Sequence, residues 1–142
     1  MRKYKKQYNI LGIIQCLIAL CAVPAGFAFI IDSTGESMGT TTGQLIRSPF
    51  PDFLIPGLFL FIVQGLGNIL GAFFSFRRMS IAGHLGLFLG VALSLWIIAQ
   101  VAWIGLNSFL QPLFFIIGIG EAWIGFSLYR KQRKHNLDRR YY

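Results

Sequence analysis

Glu121 is the one formally charged residue deep inside a long apolar stretch of this chain. An ionised carboxylate is expensive in hydrocarbon, so such a residue marks either a functional group or a hydrogen bond that holds helices together. Gly118 and Gly125 lie three positions before it and four after it, on one helical face of the kind that packs inward. Gln64 and Asn68, one turn apart on another apolar stretch, sit at comparable depth. Glu121, Gln64 and Asn68 together form the candidate intramembrane polar site; Gln100 is placed nearer one end of the apolar region and Gln15 nearer the other. Two readings stay open. In one, Glu121 binds a proton, a cation or a cationic substrate. In the other it is a protonated acid bonded to Gln64 or Asn68, worth about 0.5–2 kcal/mol to assembly. The second is preferred, because no other carboxylate, His or Lys lies at that depth to relay protons.

No other constellation points to bond-making chemistry. Cys16 and Cys21 form no Cys-x-x-Cys pair and point away from each other on a helix, which reads as packing thiols. His84 and His135 have no Cys, Asp or Glu at ligand spacing, so no metal site is expected. A phosphate-binding glycine loop, a nucleophile elbow and a carboxylate pair are likewise missing from the sequence. The expectation is a non-catalytic protein without a cofactor.

The elements that must position these groups follow from composition. Of the 142 residues, 55% are hydrophobic and 13% charged, against about 25% charged in an ordinary soluble domain. That surplus exceeds what one domain of this size can bury, so a bilayer must take it. Charge-free stretches of 25 residues (Lys6 to Asp32), 24 (Asp52 to Arg77) and 42 (Arg78 to Glu121) organise the chain. A span needs about 20 apolar residues. The longest stretch would make a helix of about 63 Å, so it must turn back on itself at 107–112. Pro56 and Pro112 mark helix starts, where a missing N–H costs nothing. The expected architecture is an all-α membrane protein, one domain, an antiparallel four-helix bundle. Its spans are about 9–31, 54–76, 82–106 and 111–129, with an outer loop at 32–53 and a basic tail at 130–142.

Twelve of the 13 Lys and Arg residues precede the first span, lie between the second and third, or follow the fourth; only Arg47 lies on the other side. The positive-inside rule then places both termini in the cytoplasm; a bacterial inner (plasma) membrane is the expected location. The net charge of +8 hugs span ends, which suits anionic lipid head groups and not nucleic acid. The first span starts like a secretory signal, but its apolar run exceeds the usual 7–15 residues, so retention is expected.

Small residues predict the packing. Gly67, Gly71 and Ser75 recur every four residues on the second span, and Ala82, Gly86, Gly90 and Ser94 do so on the third. Around the Arg77-Arg78 turn, Ser75 opposite Ala82, Gly71 opposite Gly86 and Gly67 opposite Gly90 share one antiparallel register. The second and third helices are therefore expected to form the tightest pair. Pro24 is expected to kink the first helix, and Ala22 and Gly26 offer it a second small-residue contact. Association with copies of itself or with a larger membrane complex is the expected mode of action.

The outer loop begins with turn formers from Asp32 to Gly43, followed by a mixed segment to Phe53 that acts as a lid or a plain connector, with Ser48 or Asp52 able to cap a short helix. Its Ser48-Pro49-Phe50-Pro51-Asp52-Phe53-Leu54-Ile55-Pro56-Gly57 run, with the acidic, Ser/Gly-rich turn from Asp32 to Gly39, resembles a class of small four-span bacterial membrane proteins of unknown function. The resemblance covers about 30 residues plus topology and implies no activity. Small multidrug-resistance transporters also have four short spans and an essential membrane Glu. Theirs lies in the first helix, whereas Glu121 lies in the fourth.

Overall fold

The computed structural model describes residues 4–106 and 108–141; Arg2, Lys3 and Asn107, which entered the expectations above, lie outside them. Four helices account for most of the chain: α1 (Lys5–Ile31), α2 (Leu54–Phe76), α3 (Ile81–Ile104) and α4 (Leu110–Arg140). Each is long and apolar enough to cross a bilayer, and no strand occurs among the described residues. Large apolar side chains such as Leu20, Phe88, Ile116 and Trp123 stand exposed around the bundle, an arrangement that only a hydrocarbon solvent makes favourable. The fold is that of a multi-pass membrane protein.

Neighbours in sequence are neighbours in space, and α4 closes the ring against α1. At the end where the termini lie, Tyr8, Leu11, Ala82 and Leu128 form one buried cluster. Ile18, Leu93 and Ile97 form another nearer the opposite end. α4 does not stop at the membrane surface. It runs on through the basic segment to Arg140, and Gln132 in that extension is buried and donates to the Tyr8 hydroxyl. The segment expected as a tail is thus the last part of the fourth helix. Its cations lie along aromatic faces, with Lys131 Nζ 4.8 Å from the Tyr4 ring centroid and the Arg130 guanidinium 5.7 Å from that of Phe126.

The packing expectation is corrected. The two extensive helix interfaces are α1 with α2 and α3 with α4, and the contact of α2 with α3 is a minor one. A Cβ placed on Gly90 would lie 2.3 Å from Ala122 N and 2.6 Å from the Gly118 carbonyl oxygen; one on Gly125 would lie 2.3 Å from Leu87 N. Gly83 faces Tyr129 in the same way, and Ser94 faces Gly118. The third-helix stripe was read correctly as a contact face, but it meets Gly118, Ala122 and Gly125. The second-helix stripe turns elsewhere: Gly71 and Ser75 meet Gln15 of α1, while Gly67 alone touches α3, through Leu89. Both hairpins allow an antiparallel register, and only α4 brings its own small residues to the full length of the α3 stripe.

α1 and α2 pack from Gly26 against Gly57 and Phe61 to Gly12 against Phe76. α1 continues through Pro24 without a break in its helical assignment. Across from it, α2 widens to π geometry over Phe59–Leu66. At the connecting loop, Asp52 Oδ1 accepts from the Leu54 N–H at 3.0 Å just ahead of α2, whose N-cap position is Phe53 and carries no side-chain cap bond. Leu45 and Phe53 are buried, Phe53 stacks on Phe29 at 4.9 Å, and Phe50 meets the Trp103 edge at 5.5 Å. The Phe53 N–H donates to the Ser33 carbonyl at 2.9 Å and closes the loop's base. The loop is a lid seated on the bundle.

Candidate functional site

The expected trio divides into two groups. Gln64 and Asn68 are fully buried on α2, and the Asn68 amide donates to the Gln64 backbone carbonyl (2.8 Å) and to Gln64 Oε1 (3.1 Å). Gln64 falls within the π segment, a geometry often found where a helix must re-aim a side chain. This pairing leaves Gln64 Nε2 and Asn68 Oδ1 without partners.

Glu121 is fully buried on α4 and makes no hydrogen bond to either amide. Gln15 of α1 lies near its carboxyl group without reaching hydrogen-bonding geometry. Gln15 is itself fully buried, and its Oε1 accepts from the Ser75 hydroxyl at 2.7 Å. Gly71 makes this possible, since a Cβ there would lie 2.6 Å from Gln15 Nε2. Gln15 Nε2 and both carboxyl oxygens of Glu121 lie outside hydrogen-bonding geometry with any protein group. Ser75, Gln15 and Glu121 thus line up across three helices. They end in a carboxyl group, which can hold a proton or a cation, and an amide N–H, which can donate to that group through a water.

Sequence reasoning left Gln15 out of the site and noted only that it lies nearer the end opposite to Gln100. Register alone would not have found it: extended from Gly26 opposite Gly57, a constant antiparallel register sets Gln15 opposite Asn68, whereas the structure brings it to Gly71 and Ser75. Cys16 and Cys21 are both free thiols on the exposed side of α1. No group of three or more His, Cys, Asp or Glu residues stands close enough to hold a metal ion among the described residues.

A separate cavity lies under the lid. Its deeper chamber, about 150 Å³, reaches Gln64; its upper chamber, about 340 Å³, lies against Phe50 and Phe53 of the loop. The two share Leu60, Trp96, Gln100, Leu110 and Gln111 as walls. At the opposite end of the bundle, Ser80, His84, Arg133 and Arg140 border a polar cleft of about 460 Å³.

These features define a multi-pass helical membrane protein with two buried polar groupings and a lidded apolar cavity. No protein-family model matches the chain, and no curated protein or solved structure matches it.

Proposed function

We propose that this is a non-catalytic protein of a bacterial inner membrane, with both termini in the cytoplasm, that acts through contacts inside the bilayer as an interaction or accessory component. The observation that carries this reading is how the buried polar side chains are used. Ser75 is bonded to Gln15 across α1 and α2, Gln132 to Tyr8 across α4 and α1, and Asn68 to Gln64 within α2. The first two bonds tie one helix to another, the third stays within α2, and none pairs a nucleophile with a base. Anionic lipid head groups suit the cleft beside Arg133 and Arg140, where α4 emerges with its basic residues.

A second reading, a small transporter or ion-binding bundle, is favoured by one observation: both oxygens of Glu121 are buried without a partner. Carbodiimide labelling of Glu121 in proteoliposomes separates the two. In an interaction protein, labelling is unaffected by added Na⁺ or K⁺, and Glu121→Gln retains assembly and any co-purifying partner. In an ion-binding bundle, a cation protects Glu121 from the reagent in a saturable way.

A further inference from the structure

The lidded cavity carries chemistry that goes beyond that reading and does not depend on it. No Asp, Glu, Lys, Arg or His lines either chamber; the walls are mostly aliphatic and aromatic, with Gln100 and Gln111 where the chambers meet, Thr40, Gln44 and Ser108 in the upper one, and Gln64 at the deep end. Gln64 is fully buried, its Oε1 is taken by Asn68, and its Nε2 has no partner. Trp96, stacked on Phe59 at 4.6 Å, lines both chambers, and its buried Nε1 also has no partner. Two N–H donors without acceptors therefore belong to residues that line one uncharged, largely apolar space. Buried donors left unmatched cost about 1–3 kcal/mol each, and an acceptor supplied by a ligand would remove that cost.

We propose that this cavity binds a neutral, lipid-soluble molecule with a carbonyl-type oxygen at one end, held by Gln64 Nε2 and Trp96 Nε1, its apolar remainder lying under the lid. The absence of charge from the lining disfavours ionic ligands, which would enter without compensation. An alkane would leave both donors unmet. The walls also suggest the route. Cys21 and Ala25 of α1 and Leu110 and Phe114 of α4 border the deep chamber, at the end of the bundle away from the Tyr8–Gln132 bond that ties these two helices together. A ligand dissolved in the bilayer can enter between them. The upper chamber's volume is within the range of small-molecule sites.

Cys21 borders the deep chamber and reports its occupancy. In the full-length Cys16→Ser protein in detergent, the rate of Cys21 alkylation by N-ethylmaleimide is measured against rising 2-undecanone or n-undecane. The ketone is expected to slow alkylation saturably, at a concentration about five- to tenfold below that needed for the alkane, the worth of one or two good hydrogen bonds. Gln64→Leu and Trp96→Phe are each expected to remove most of that advantage. If Gln64→Leu does not assemble, Trp96→Phe, which keeps a ring against Phe59, makes the same comparison. Equal potency of ketone and alkane in the Cys16→Ser protein, or a ketone advantage that survives the variants, overturns the assignment.

Discussion

Adding one methyl group at Gly90 tests which hairpin holds this bundle. A Cβ there would sit 2.3 Å from Ala122 N, 2.6 Å from Gly118 O and 2.8 Å from Ala122 Cα, all main-chain positions that cannot swing aside. Ordinary contact begins at 3.4 Å, so Gly90→Ala must part α3 from α4 locally by about 1 Å. Overpacking of this kind costs about 1–3 kcal/mol. Replacing a helical glycine by alanine also gains about 1 kcal/mol of helix propensity, which would blur a lone measurement. Gly120→Ala on α4 supplies the reference, because its Cβ meets nothing within 4 Å. The difference between the two variants isolates the clash, expected at about 2 kcal/mol, or roughly 30-fold in the unfolding equilibrium. Gly67→Ala is the contrasting probe: its Cβ meets only the movable end of Leu89 at 3.0 Å and should differ little from Gly120→Ala. Reversible unfolding in mixed detergent–SDS micelles, followed by circular dichroism, gives the three values. Should Gly67→Ala prove as costly as Gly90→Ala, the α2–α3 hairpin is the tight one and the packing argument fails.

Two further perturbations probe other parts of the molecule. Ser75→Ala removes the hydroxyl that donates to Gln15 Oε1 and is expected to cost about 0.5–2 kcal/mol in the same unfolding assay; an unchanged midpoint would show that this bond does not hold α1 to α2. In the loop, Asp32 accepts from the Thr34 hydroxyl and from the Ser37 N–H (2.9 Å), and these bonds hold its carboxyl below the usual carboxylate range. A carboxyl so lowered contributes loop order above its unfolded value and loses it as pH falls through the lowered folded one. Amide exchange at Ser37 should therefore quicken on acidification into that range, and Asp32→Asn should abolish this pH dependence. Exchange equally pH-dependent in Asp32→Asn, once the intrinsic rate is divided out, contradicts the assignment.

The candidate site was legible in its residue types and less so in its partnerships. Glu121, Gln64 and Asn68 are all fully buried, as polar groups in a membrane segment should be. Depth along a span, however, says nothing of azimuth. Glu121 meets Gln15 because α4 packs on α1, and the space for the Gln15 side chain comes from Gly71, a residue assigned by spacing to a different interface. The π segment of α2 left no mark that periodicity could detect, since every position in Phe59–Leu66 except Gln64 and Gly65 is apolar. The cavity under the lid was equally hidden, because its walls come from all four helices and the loop.

What the sequence settled by itself is the number and placement of the membrane-length helices. That is a one-dimensional matter: charged residues cannot sit in hydrocarbon at low cost, so the gaps between them measure the spans. The choice of partner for each helix face was left to the tertiary structure. Within lipid an apolar face gains little by hiding from its surroundings, so contact is decided by how closely backbones approach. The stripe of Ala82, Gly86, Gly90 and Ser94 had two antiparallel neighbours to choose from. Closure of the ring, with α4 lying against both α3 and α1, selected Gly118, Ala122 and Gly125.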